Sequence, residues 1–239
     1  MIRARRPETV TGARDGYRAD VPLVWYAAYG SNMDLERLNR YLAGCRDSRP
    51  PTRSVAVMLP GMLYFATESQ VWTGGRAFYD PDGGGELPAR AHLLTATQFS
   101  DIAAQEMYRE PGPDLDLTEV LSRGRAETGP GRYETLVCAG LLDGRPVLTF
   151  TAPWRVSDVA VKPPAAAYLR HLVAGVVAAH GWSALRAAEY LAGCPGAEGR
   201  WTAAEIAALI PDGNGNGSGN GSGNGSGNGN GSGNGSASE

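Results

Sequence analysis

Short apolar segments bounded by turn residues crowd the first two-thirds of this chain, and helical spacing takes over after them. Residues 21–29, 54–66 (broken at Pro60-Gly61), 71–79 and 87–95 read as strands. "YETLVCAGLLDGRPVLTFTAP" reads as a hairpin that turns at Asp143-Gly144. Helical spacing is predicted over 33–43 and 97–108, then over 163–180, 183–191 and 202–209, the last opened by a Thr202/Glu205 capping box. Residues 109–131 read as a long loop with room for one helical turn. Strands gathered first and helices last do not make the regular alternation of a parallel α/β fold, so the expected class is α+β.

The chain has 239 residues. Its segment 213–239 is Gly, Asn and Ser with one Ala and one Glu, which offers no apolar surface to offset the entropy of ordering. The expected organisation is a mobile arm over 1–20, one domain over 21–212 and a disordered tail over 213–239. A net charge of −3 provides no broad basic surface, so nucleic acid is not an expected partner. The N-terminal segment is charged with no apolar core behind it, and no run is long enough to span a bilayer. Cys45, Cys138 and Cys194 lack metal-ligand or redox spacing, which fits a reduced, cytoplasmic compartment. His92, His171 and His180 form no compact ligand set, which disfavours a zinc deacetylase or metalloprotease, and no G-x-S-x-G marks a serine hydrolase. No metal and no cofactor are expected.

Two places carry chemistry. In "YAAYGSNMDLERL" an apolar strand stops at Gly30-Ser31-Asn32 and an amphipathic helix begins at once. Glycine permits backbone angles that other residues resist. A helix N-terminus presents unpaired N–H groups and a positive dipole, which suit a carboxylate or a developing oxyanion. The same residues also suit a plain N-cap at Ser31 or Asn32. Downstream, the 97–108 helix puts Phe99, Ile102, Ala103 and Glu106 on one face and leaves Ser100, Asp101 and Arg109 elsewhere. Glu106 is therefore expected either in a core or cleft, where burial raises its pKa, or at an exposed helix end paired with Arg109.

These residues resemble the γ-glutamylcyclotransferase-like family. Tyr29-Gly30-Ser31-Asn32 matches its Tyr-Gly-Ser-Asn stretch, and Gln105-Glu106-Met107 matches its catalytic Glu but not the Gly that follows it. "VWTGGRAFYDP" (71–81) resembles its Trp- and Gly-rich pocket strand, and "KPPAAAYLRHLVAGVVAAHG" (162–181) its late helix, with Tyr168 at the family's Tyr. The resemblance covers roughly 25–181. It implies a small mixed β-barrel of about six strands with flanking helices. It also implies cofactor-free release of an amine or amino acid from a small-molecule γ-glutamyl amide, with 5-oxoproline as the other product. Glu106 would be general base and acid, with Tyr29, Gly30, Ser31, Asn32, Met33 and Tyr168 holding substrate. A non-catalytic small-molecule-binding module on the same fold and another amide-cleaving or acyl-transfer enzyme are the alternatives. The amine side of the substrate and the oligomeric state stay open.

Overall fold

Apolar segments flanked by turn residues do become strands here, but they do not close on one another. The computed structural model describes residues 2–3 and 22–210. The rest of the expected arm and the expected tail lie outside the described residues. In chain order the first half holds β1 (Ile2–Arg3), β2 (Leu23–Ala28), α1 (Leu35–Ala43), β3 (Ser54–Pro60), β4 (Met62–Glu68), β5 (Gly75–Asp80), β6 (Glu86–Thr95) and α2 (Ala96–Glu106). The second half holds α3 (Thr118–Arg123), β7 (Arg125–Glu127), β8 (Thr135–Leu142), β9 (Arg145–Thr151), α4 (Ala166–His180), α5 (Ala184–Ala192) and α6 (Ala203–Ala207).

One seven-stranded sheet runs in the order β1-β3-β6-β2-β9-β8-β7, and β4 and β5 pair apart from it. β1 runs parallel to β3 and β2 parallel to β9, and every other pair is antiparallel. The fold is mixed α+β, but the expected closed barrel is corrected to an open sheet plus a hairpin. The reason lies at two places. Pro60-Gly61 ends β3 with Gly61 at φ 119°, so the chain leaves the sheet before β4 begins. β5 then returns beside the end of β9, but a side chain stands where a ladder would form. Thr151 Oγ1 accepts from Tyr79 N at 3.0 Å and donates to Tyr79 O at 2.7 Å.

The hairpin of β8 and β9 turns at Asp143 (φ 49°) and Gly144 (φ 72°), the two positive φ values a two-residue type I′ turn needs. The 109–131 segment holds more than one helical turn: α3 is followed at once by β7, a short edge strand on β8. The predicted strand over 71–79 starts only at Gly75, because 69–74 form a tight turn in which Ser69 N donates to Gly74 O and Thr73 N to Ser69 O. Close approach of the 162–165 backbone explains Gly74 and Gly75. A Cβ on either would run into main-chain atoms of Lys162, Pro163 or Ala165.

β2 sits mid-sheet and is buried along almost its whole length, so its residues are apolar without alternation. α2 packs on β2 and β6, while α4 packs on β3, β6 and the turn after β2. The C-terminal ends of β2 and α2 and the start of α4 thereby reach one region. Among the described residues, no helix is long and apolar enough to cross a membrane.

Candidate active site

After β2 the chain makes one 3-10 turn, Ser31–Met33, before α1. α1 begins two residues later than its spacing predicts because Asp34 takes the N-cap, its carboxylate accepting from Glu36 N at 2.9 Å. The positive end of α1 therefore faces Asp34 and not a ligand. Within the turn Met33 N donates to Gly30 O and Asp34 N to Ser31 O. The N–H groups left over are those of Gly30, Ser31 and Asn32, which donate to no acceptor among the described residues. Met33 does not line the cavity described below. Its side chain is in the core, against Gly175, and its carbonyl accepts from Arg90.

Gly30 has φ −104° and ψ −150°, angles that do not require glycine. Space is what it supplies: a Cβ there would sit 3.5 Å from the Tyr168 hydroxyl. Gly30→Ala should therefore keep its thermal midpoint, since Ala accepts these angles and narrows the unfolded ensemble. Its methyl group should weaken binding of the cavity's ligand by ~10-fold or more, the scale of one misplaced methylene in a pocket. Thermal melts and calorimetric titrations check the two halves.

Tyr29, Gly30, Ser31, Asn32, Glu106 and Tyr168 all line one cavity of about 200 Å³. Asn32 is 3% exposed, and its Nδ2 donates to Glu106 Oε1 at 3.0 Å and to the Tyr26 hydroxyl at 3.3 Å. Its Oδ1 is buried with no donor, an unsatisfied acceptor beside the carboxylate. Glu106 is half-buried as a residue, but its carboxyl end is enclosed. Burial raises its pKa, opposed by hydrogen bonds from Tyr41 and Asn32 and by the charges of Arg37 and Arg132. A carboxylate so placed can take a proton from an amine and return it. Its predicted alternative partner, Arg109, pairs instead with Glu134.

The Met107 departure has a structural account. Met107 ends α2 at φ −95°, where any residue fits, and the left-handed position falls one later, on Tyr108 at φ 58°. Tyr108 is 69% exposed at the cavity's rim, and the Arg132 guanidinium lies 4.9 Å from its ring centre. Tyr168 stacks on Trp72 at 5.4 Å and accepts from Ala77 N at 3.3 Å. Burial, first, and the Glu106 charge raise the pKa of both Tyr41 and Tyr168, so their hydroxyls stay protonated near neutral pH.

Periodicity alone missed several wall residues. Arg37 reaches back from α1 and donates through Nε to Ser31 Oγ at 2.8 Å, with its guanidinium 5.0 Å from the Trp72 ring centre. Arg132 donates through one terminal nitrogen to the Glu106 carbonyl at 3.2 Å. Arg76 on β5 completes this set. His92, fully buried on β6, holds the loop from below. Its Nε2 lies 3.2 Å from the Asn32 carbonyl and its Nδ1 2.8 Å from Ser54 Oγ. A carbonyl can only accept, so Nε2 carries the proton and Nδ1 accepts from the serine. His171 and His180 sit elsewhere, His171 against Trp72 and His180 on the Ala89 carbonyl.

Asp101 was expected on a face of α2 away from the apolar residues, but it is fully buried. Its carboxylate accepts from Arg46 N at 2.8 Å and from the Arg46 guanidinium at 2.7 and 2.9 Å. α2 is enclosed on both sides, as Ser100 and Gln98 are buried and bonded too. Asp101 is therefore a structural anchor. Asp101→Asn should destabilise by about 1–3 kcal/mol, the cost of spoiling a buried charged hydrogen-bond set, as read by chemical denaturation.

No protein-family model matches the chain. A curated relative, Histone deacetylase 5 of Arabidopsis thaliana, is 30% identical over 202 residues covering 70% of this chain. The chain spans 30% of the length of that relative. Among solved structures the chain is similar to a gamma-glutamyl cyclotransferase, with TM-score 0.46, 16% identity and coverage of 79% of this chain and 98% of that one. It is also similar to an uncharacterized protein from Homo sapiens, with TM-score 0.45, 17% identity and coverage of 78% and 97%.

Proposed function

We propose that this cavity catalyses the cyclisation of a γ-glutamyl amide to 5-oxoproline, with release of the amine, on a γ-glutamylcyclotransferase-like fold. The observation that carries the reading is the meeting of Glu106 with the Gly30–Asn32 loop in one cavity, joined by the 3.0 Å bond from Asn32. A Glu106 turned to solvent would have favoured a binding module.

In this reading the substrate's α-ammonium donates to Asn32 Oδ1 and to Glu106, which takes one proton. The free amine attacks the γ-carbonyl carbon and forms the ring C–N bond. The oxyanion lies against the unused N–H groups of the loop, where preorganised donors stabilise developing charge. Collapse breaks the original amide C–N bond, and Glu106 gives its proton to the departing amine. Two protons in all pass from the attacking to the leaving nitrogen. One is the proton that Glu106 takes from the ammonium and gives to the departing amine. The second leaves the ring nitrogen as the lactam forms and goes to the released amine, which departs as an ammonium. The reaction has no net gain or loss of protons. A raised carboxyl pKa brings the group closer to neutral, which suits both halves of the transfer.

The deacetylase in the relative's name belongs to that protein, of whose length this chain spans 30%. The test is a panel of γ-glutamyl amides assayed for 5-oxoproline. Release from at least one member is expected, and binding without release across the panel would leave a binding module in its place.

A further inference from the structure

Three arginines line this cavity: Arg37 from α1, Arg76 from β5 and Arg132 from the turn before β8. None of them forms an ion pair among the described residues, where the neighbouring pairs are Arg40–Glu36, Arg46–Asp101, Arg109–Glu134 and Lys162–Glu68. Their bonds go to neutral acceptors instead. Arg37 meets Ser31 Oγ, Arg76 meets Thr67 Oγ1 at 3.5 Å, and Arg132 meets the Glu106 carbonyl. Arg132 Nε is buried with no acceptor at all. A buried donor on a charged group, left unpaired, is a cost that calls for an explanation, and an acceptor brought by a ligand is one.

The charge count narrows the ligand. Against three guanidiniums the cavity sets one carboxylate, Glu106, which leaves two positive charges over. A γ-glutamyl head carries an α-carboxylate and an α-ammonium, so it is neutral overall and leaves that excess in place. Two guanidiniums also lie over aromatic rings, Arg37 5.0 Å from the Trp72 ring centre and Arg132 4.9 Å from that of Tyr108. An arginine held by cation–π contact keeps N–H donors free for a carboxylate, which it can grip with two parallel hydrogen bonds. The three arginines enter from three separate elements, an arrangement that fits separate anions better than one compact dianion.

Resting on the cyclotransferase reading, we propose that the leaving amine is dicarboxylic: the substrate is a γ-glutamyl amide of an acidic amino acid. The α-carboxylate of the head takes one guanidinium edge, and the two carboxylates of the leaving group offset the remaining charge.

The experiment compares γ-glutamyl amides of ethylamine, alanine and glutamate, which add zero, one and two carboxylates, together with the amide of O-phosphoethanolamine. kcat/KM is expected to rise ~10-fold or more with each carboxylate, the scale of a charge-assisted hydrogen bond. The rise should shrink at high salt, because the cavity opens to solvent. Arg76→Met should cut the glutamate-to-ethylamine ratio by ~10-fold, and Arg76→Lys, which keeps the charge, by less. The same amides are titrated calorimetrically into Glu106→Gln, so the charge order is read even without turnover. Equal values for ethylamine and glutamate, or a preference for the phosphate, would overturn the dicarboxylate assignment. Binding in the expected order with no 5-oxoproline from any amide would support the assignment and count only against the reaction.

Discussion

Glu106→Gln should cut 5-oxoproline release by ~10²–10⁴-fold, the usual contribution of a positioned acid–base group, while substrate still binds. Glutamine keeps an oxygen to accept from Asn32 Nδ2 and removes the proton acceptor. The variant should also be at least as stable as the wild type at neutral pH. Burial raises the folded pKa of Glu106 above its unfolded value, so the folded state binds more protons between the two. Its contribution to stability is lost as pH rises from about 4.5 through the folded value, and the cost is fully present above that. Glutamine carries no such cost. A melt at pH 7 should place the variant's midpoint at or above that of the wild type, the mark of a residue kept for chemistry rather than for stability. An inactive variant with a much lower midpoint would instead point to a structural role.

The second large effect belongs to His92. Burial, with help from the Arg90 charge, pushes its pKa down to about 3. The unfolded chain binds a proton near pH 6.5, so stability is fully present above that value and drains away as pH falls toward the folded value. From this residue alone the wild type should lose about 2 kcal/mol between pH 7 and 5. His92→Gln can still donate to the Asn32 carbonyl but does not titrate. Denaturant titrations at the two pH values should show a smaller acid loss in the variant by that amount. Glu106 acts in the opposite sense in part of this window, and the difference between the two proteins removes its share. An equal acid loss in both would mean that His92 titrates normally and is not sealed beneath the loop.

How far the sequence could be read depends on how local each cause is. The break at Gly30 was legible because a strand's apolar run and a helix's spacing meet there without a linker, and Glu106 because a charge on an apolar stripe is conspicuous. The Asp143-Gly144 turn and the Thr202/Glu205 box were legible because their hydrogen bonds span a few residues. Barrel closure was not, since it turns on whether β5 ladders onto β9, and that is decided by one hydroxyl, Thr151, 72 residues from its partner. That the face of Asp101 is buried as well was not legible, because periodicity sees only its own helix, while Arg46 lies 55 residues away. Met33 follows the helical spacing, but Asp34 is the better cap and delays the helix. Arg37 and Arg132 carry no local pattern that sets them apart in an arginine-rich chain. Arg76 is the one basic residue in the strand "GRAFYD", a signal that could have been followed.

The most direct test of cyclisation in this cavity is the fate of the γ-carbonyl during turnover of a γ-glutamyl amide in ¹⁸O-labelled water. Attack by the substrate's own amine should give amine and 5-oxoproline in equal amounts, with no label in the 5-oxoproline and none of it formed by Glu106→Gln at the wild-type rate. Glutamate carrying one labelled oxygen would mean that water is the nucleophile, and the proposed cyclisation would be wrong.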